Sequence, residues 1–484
     1  MKLNRTGVLL VVAAAVVATL AGCTVGQNYV RPTVEIPAVF KEGVAWQPAQ
    51  PRDDAARGNW WAAFGNAELD QLLTQVNVSN QTLMASEAQY RQAVALAEQA
   101  RSAFFPTVTA GLSETRSRPS GTTGPVTGIS TTKRTIFSAP LNFSWEADLW
   151  GRIRRSVEAG EEAARANAAD LENARLSIQA QLAQNYFLLR ALDTQKRLLD
   201  TTVEAYAKSL EMTSNRYKVG VVARIDVSQA ETQLKSTQAQ ALDLGVQRAQ
   251  LEHSIAVLLG LPPAAFSLAV VPLAATPPLV PVSLPAELLE RRPDIAAAER
   301  RVAAANAQIG AAEAAWFPAA TLSASYGVQS ATAAQLFSLP SRFWSIGPAL
   351  ALAVLDGGRR RAISDQAKAA YDASVANYRQ TVLVGFQEVE DNLAAIRILE
   401  EEARIQAEAA AAAQQSLEYS LNQYRAGITP YFQVVTAQAT ALANQRALAD
   451  LLARRMTASV QLVKALGGGW DAASLPQTRL TGRK

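Results

Sequence analysis

Asn215 opens the stretch NRYKVG, and 207 residues later Asn422 opens NQYRAG. The same interval separates Gly220 from Gly427, Gly260 from Gly467, and Gly151-Arg152 from Gly358-Arg359, whereas Phe105-Pro106 and Phe317-Pro318 are 212 apart. The chain is a duplicated unit whose copies differ by five residues between the Phe-Pro and the Gly-Arg, which places a length-tolerant surface loop there. Two copies near 200 residues are too few and too long for a solenoid. They imply a pseudo-symmetric protomer.

Each copy reads first as long helix. No proline interrupts 151–219, and Ile178, Leu182, Leu189 and Leu192 fall on one helical stripe. A helix that long is a rod of roughly 100 Å, for which a soluble globular domain has little use. The pattern resumes after Gly220 and stops at Gly260, with Pro262-Pro263 beyond it. The second copy predicts helices over 358–426 and 429–466, with Thr429-Pro430 as N-cap and first-turn pair.

Between each Phe-Pro and the following Gly-Arg the period changes from 3.6 to 2. Phe137, Ala139, Leu141, Phe143, Trp145 and Ala147 alternate with Ser138, Asn142, Ser144 and Glu146. Ala320, Leu322, Ala324, Tyr326 and Val328 alternate with Thr321, Ser323 and Ser325, and Trp344, Ile346, Leu350 and Leu352 face opposite small residues. A half-buried sheet on a soluble core has the same alternation, but these four strands have no other β-segments to pair with. A transmembrane barrel, apolar outside and polar within, accounts for them. Four strands cannot close alone; three chains give twelve and leave room for water.

The chain of 484 residues begins with a basic tip and an apolar run, Val8 to Leu20, short for a membrane span and suited to a secretory signal over 1–22. LAGC, Leu20 to Cys23, resembles a lipobox, which makes Cys23 the lipidation site; the alternative is a free thiol after an ordinary signal. Cys23 is the only cysteine, so no internal disulfide exists. The formal charge of +4 points to no nucleic-acid partner. With His253 the only histidine, neither a Cys/His zinc set nor a Ser-His-acid triad assembles within the chain, and Gly357-Gly358 lacks a nucleotide-binding context. No cofactor, metal or enzyme activity is expected.

RRPDIAAAERRVAAANAQIGAAEAAWFP, Arg291 to Pro318, is similar to the segment entering the second hairpin of TolC/OprM-type outer-membrane efflux ducts, the outer membrane factors. GCTVGQNYVRP and WWAAFGNAELDQLL resemble their lipoprotein branch, although Gln27 stands where many members have Pro. The resemblance implies a mainly α protomer with four membrane strands, forming a homotrimer with a twelve-stranded barrel in the outer membrane and an α-helical barrel crossing the periplasm. It further implies a passive conduit for drugs or other small toxic compounds, fed by an inner-membrane pump of the resistance-nodulation-division type through a periplasmic adaptor, the membrane fusion protein. The duct of a protein-secretion system has the same fold. A lipid-anchored periplasmic coiled-coil scaffold, which needs no barrel, is the alternative of another class.

The domain plan expected is a lipidated N-terminal and equatorial segment over 23–65, a first repeat over 66–270, a linker over 271–284, a second repeat over 285–470 and a tail over 471–484. The first repeat holds a β-hairpin at 106–149 and helices at 151–219 and 222–260; the second holds its hairpin at 318–356. In relatives the helical turns meet the adaptor, which makes Val219, Gly220, Val221, Ala426, Gly427 and Ile428 the contact candidates here. Relatives close this end with a Tyr beside the turn and a facing acid, matched by Tyr424 and Asp226 with Arg425 as helper. Gln433 and Thr436 occupy positions that are aspartates in some relatives. An acid in the first turn of a helix is also favoured by the macrodipole alone.

Overall fold

The computed structural model of the chain describes residues 24–42, 59–118, 133–273, 277–278 and 291–469. Among the described residues three pairs of helices repeat with equal length. In the first copy α1 (Ala67–Ser79) and α2 (Gln81–Ser102) precede the strands, followed by α3 (Arg152–Lys218) and α4 (Arg224–Leu258). In the second, α5 (Pro293–Ala314) precedes the strands, followed by α6 (Arg359–Arg425) and α7 (Tyr431–Ala465). The paired helices α3 and α6 have 67 residues each, and α4 and α7 have 35 each. The last starts one residue later than the sequence suggests. Pro430 occupies the N-cap, and the buried Thr429 hydroxyl has no hydrogen-bond partner there.

The strands form one antiparallel sheet. β1 (Thr107–Ala110) and β2 (Ser113–Ser117) both pair with β3 (Arg134–Ala147), which pairs with β4 (Ala319–Ser330), which pairs with β5 (Arg342–Ala351). β1 and β2 keep one register along β3, and the gap between them lies opposite Pro140. Proline has no N–H to give the ladder, so the facing strand is interrupted at Gly111, whose own N–H still reaches the Pro140 oxygen at 3.0 Å. On the other side of Pro140 sits Gly327, where a Cβ would lie 2.6 Å from the Ala139 oxygen.

Register decides the faces. Leu141 is opposite Tyr326 and Phe143 opposite Ala324, while Asn142 is opposite Ser325, whose hydroxyl donates to its Oδ1 at 2.9 Å. β5 adds Trp344 and Ile346 to the apolar side, and Val108, Leu141, Tyr326, Trp344, Ile346 and Leu350 are all exposed there. An uncovered apolar face of this extent calls for lipid. Both outer strands, β1–β2 and β5, leave an edge open within the protomer.

Below the sheet, α3 and α6 start from left-handed glycines, Gly151 and Gly358. Neither glycine has a side chain to cap with, and an upstream aspartate takes the role. Asp148 accepts from Ile153 N at 3.0 Å and Arg154 N at 2.8 Å, and Asp356 from Gly358 N at 3.1 Å and Arg360 N at 3.2 Å. Near the sheet α2, α3, α5 and α6 lie side by side in that order; farther away α3 packs with α4 and α7, and α6 with α7.

Short and long helices join end to end in both copies. The Asn80 side chain caps α2 by accepting from Leu83 N at 2.9 Å and donates to the Leu258 carbonyl of α4 at 2.7 Å. Arg292 makes the corresponding link in the second copy, to the Ala465 carbonyl at 3.1 Å. At each junction a glycine with positive φ, Gly260 or Gly467, passes so close that a Cβ would overlap a carbonyl oxygen, that of Ser79 or Arg291. Outside these junctions lies the main core, where Trp60, Phe64, Leu69 and Leu73 pack on Tyr186, Phe187, Leu189 and Ile255. Among the described residues no helix is long and apolar enough to cross a membrane.

Candidate functional site

Far from the sheet the two hairpins end in the same turn. Gly220 N donates to Tyr217 O at 2.9 Å and Val221 N to Arg216 O at 2.9 Å; Gly427 N donates to Tyr424 O at 3.0 Å and Ile428 N to Gln423 O at 2.9 Å. This Schellman pattern needs a left-handed residue after the C-cap, and Gly220 and Gly427 have φ of 73° and 75°. The periodic Gly of the two hexapeptides is thereby explained. Val219, Val221 and Ile428 protrude as exposed apolar side chains beside Ala426.

The tyrosines of the two hexapeptides, one sequence position, have opposite fates. Tyr217 is 42% exposed and Tyr424 is 2% exposed. Arg216 of the first hairpin covers Tyr424, its guanidinium 4.6 Å from the ring centroid, and its NH1 donates to the Tyr424 carbonyl at 2.6 Å. That bond also places a cation on the C-terminus of α6, where the macrodipole favours it. The second copy has Gln423 in place of Arg216, so the arrangement cannot be made symmetric.

Behind Arg216 lies a buried phenol cluster. The Tyr424 hydroxyl donates to Thr213 Oγ1 at 3.3 Å, Tyr431 shares a hydrogen bond with Ser209 at 3.1 Å, and the two rings are 5.2 Å apart. Burial raises the Tyr431 phenol above its ordinary value, the Ser209 hydroxyl works against that, and Tyr424, Tyr206 and Asp226 push it up further. Asp226 thus sits close enough to be felt by Tyr431. Within the protomer its carboxylate makes no side-chain hydrogen bond among the described residues, and Tyr424 is held by Thr213 instead. Arg425 is exposed and donates to Asn422 Oδ1 at 3.3 Å.

At the other end, Cys23 lies outside the described residues, but the chain directly after it is fastened to the base of the sheet. Val25 N donates to Trp150 O at 3.1 Å, and Arg155, 4% exposed, donates to the Val25 and Gly26 carbonyls at 3.3 and 3.0 Å and to Asn28 Oδ1 at 3.1 Å. From there the segment runs along α5 and α6, with Tyr29 donating to Glu299 at 3.2 Å and the Lys41 and Glu42 amides donating to Glu390 at 2.7 and 2.9 Å. Trp150 stacks on Phe317 at 4.8 Å, and Arg360 covers Trp316 at 5.0 Å, both at the level where the sheet meets the helices. Sequence reasoning passed over both Arg155 and Arg216. Arg155 carried a signal, since three arginines in the first turn of a helix oppose the macrodipole and need acids, supplied by Glu146, Asp148 and Glu158. Among the described residues no group of three or more His, Cys, Asp or Glu gathers to hold a metal.

The family model described as outer membrane efflux protein matches the chain twice, over residues 72–261 and 284–468. The chain is 32% identical to the probable efflux pump outer membrane protein TtgC of Pseudomonas putida over 469 residues, 93% of each chain. It is 33% identical to the pyoverdine export outer membrane protein OpmQ of Pseudomonas aeruginosa over 446 residues, 90% of this chain and 94% of that one. The solved outer-membrane channel OprN superposes with a TM-score of 0.85 at 30% identity, covering 93% of this chain and 100% of that chain.

Proposed function

Since this chain belongs to the outer membrane efflux protein family, we propose that three copies close their sheets edge to edge into a twelve-stranded barrel and serve as the outer duct of a tripartite pump. The observation that carries this is a sheet with four strand positions, β1 and β2 sharing one of them along β3, apolar on one face and open at both edges, continuing into two helices of 67 residues. The edge of β5 meets β1–β2 of a neighbour, which pairs every open ladder and turns the row holding Leu141 and Trp344 to lipid. The helices then cross the periplasm.

Transport is passive. The duct binds no fuel, and its wide lumen leaves recognition of cargo to the inner-membrane pump, of the resistance-nodulation-division type. The cargo class is small toxic compounds, in keeping with the efflux and export functions named for TtgC and OpmQ. The adaptor reads the tips, where Val219, Gly220, Val221, Ala426, Gly427 and Ile428 present exposed apolar groups on rigid Schellman turns. Cys23 carries the lipid in this reading, which the fastening of Val25 and Gly26 by Arg155 at the base of the sheet supports. At rest Asp226, Tyr424 and Arg425 contribute to closing the periplasmic end, Tyr424 through its buried cluster and Asp226 as a ring of carboxylates around the axis.

Purified protein should run as a detergent-stable, heat-modifiable trimer and conduct ions in planar bilayers, and its deletion should sensitise the producing cell to small toxic compounds. A monomer that gives no conductance would overturn the duct. Unchanged drug sensitivity together with a lost secreted protein would assign the duct to secretion.

A further inference from the structure

The duplication extends to a cluster of charges outside the helical barrel that is occupied in one copy and open in the other. In the first copy Asp193, fully buried, holds Arg190 at 3.0 Å and Arg248 at 2.7 Å. The chain following α4 lies across them. Arg190 donates to the Ala269 carbonyl and Arg248 to the Leu268 carbonyl at 2.7 Å, while Val271 N donates to Asp193 at 3.1 Å and Leu273 N to Thr194 at 2.8 Å.

Each of the three charges recurs 207 residues later, as Arg397, Glu400 and Arg455. Arg190 pairs with Glu68 from the outer segment, and Arg397 pairs with Glu42. Arg455 reaches Glu400 at 3.7 Å, as Arg248 reaches Asp193. Here two of the three side chains are uncovered, Arg397 51% and Glu400 70% exposed, while Arg455 is 25% exposed. Arg455 also lines a groove of about 540 Å³ together with Leu198, Leu448 and Leu452.

We propose that this open cluster is the docking site of residues 474–480 of the same protomer, which lie outside the described residues. Three observations single out this occupant. Ser267-Leu268 and Leu273, which cover the first cluster, recur at the same interval as Ser474-Leu475 and Leu480. Pro476 stands at the position of Ala269, whose carbonyl alone is used, so the missing N–H removes nothing. Finally, Arg479 brings a positive charge to the exposed run Glu400, Glu401 and Glu402. The described chain ends at Gly469, four residues after α7, and the five residues to Ser474 reach roughly 17 Å when extended, about the ten-residue helical distance from Ala465 back to Arg455. The bonds of Glu252 are absent from the copy, where Ser459 replaces it: Glu252 accepts from the Leu268 amide at 2.6 Å, from the Ser267 hydroxyl at 3.2 Å and from Arg248 at 3.3 Å.

The docking is tested in full-length trimers by cysteine pairing, with Cys23 the only native cysteine. Thr478→Cys with Glu400→Cys is expected to form a disulfide within one protomer about tenfold faster than Thr478→Cys with Asp243→Cys, a control on the helix α4 of the first copy. Equal rates, or a bond joining two protomers, would overturn the proposal. Hydrogen exchange gives a second reading without cysteines. The Thr478 and Leu480 amides are expected to exchange about tenfold slower than in an unstructured chain, and to lose that protection in Glu400→Ala with Arg455→Ala. Free exchange in the unmodified trimer would reject the docking.

Discussion

Arg216 and Tyr424 join the two helical hairpins of the protomer twice over, through a 2.6 Å bond to the main-chain carbonyl and through the face of the ring. A charge-assisted bond contributes about 1.5 to 3 kcal/mol and a cation over a ring about 0.5 to 2 kcal/mol. Arg216→Ala should therefore let the tips separate, seen as higher single-channel conductance and faster hydrogen exchange near Tyr424. Arg216→Lys keeps the charge without the planar fork and should fall between. Wild-type conductance in Arg216→Ala would remove this pair from the closed tip.

Asp226 is tested by current. If three copies ring the axis, Asp226→Ala should raise conductance and weaken cation preference. Combined with Tyr424→Phe it should give less than the sum of the two effects where they share one lock. Unchanged selectivity would leave Asp226 as a helix-end acid.

Tyr431 predicts an alkaline limit for the tip. Burial holds its phenol above the ordinary value, so the fold favours the neutral ring, and the unfolded chain ionises first. Stability from this group is complete below the ordinary tyrosine value of 10.0 and declines as pH rises through the raised one. Tyr431→Phe should flatten that decline in tip hydrogen exchange or proteolysis measured above about pH 10. An identical alkaline profile would show that another group sets it.

The two faces of β3 differ by one residue. Leu141→Arg sets a charge against lipid at about 2 to 4 kcal/mol per chain near the midplane, whereas Asn142→Arg, beside Ser325, faces water. Trimer yield should fall for the first and conductance change for the second. Equal assembly of both would reverse the assignment of inside and outside.

Glycines that look equivalent in sequence should differ in cost. Gly220→Ala meets nothing within 4 Å and bears only left-handed strain, about 1 to 2 kcal/mol. Gly260→Ala and Gly467→Ala add an overlap with the Ser79 or Arg291 carbonyl and should lower the thermal midpoint well beyond that. Thermal melting of the three variants checks the order.

Cys23→Ala should abolish incorporation of labelled fatty acid. Arg155→Ala should leave labelling intact but expose the segment from Val25 to Asn28 to protease, because the acceptors it binds lose their donor. Labelling of Cys23→Ala at the wild-type level would reject lipidation there.

Periodicity and backbone conformation are local properties, and the features that depend on them were legible along the chain. The duplication, the long helices, the alternating strands and the turn glycines all express repeats of 3.6 or 2, or a φ that only Gly adopts cheaply. The choice between partners was not local. NRYKVG and NQYRAG look interchangeable, yet Arg216 covers Tyr424 while Tyr217 stays exposed, because the hairpins meet side by side and only one arginine points across. The break between β1 and β2 belongs likewise to Pro140, roughly thirty residues away, and becomes visible only once the register is set. Arg155 found its acceptors in a segment about 130 residues earlier. Contacts of that kind depend on how rigid elements stack in space, and no spacing within either element encodes them.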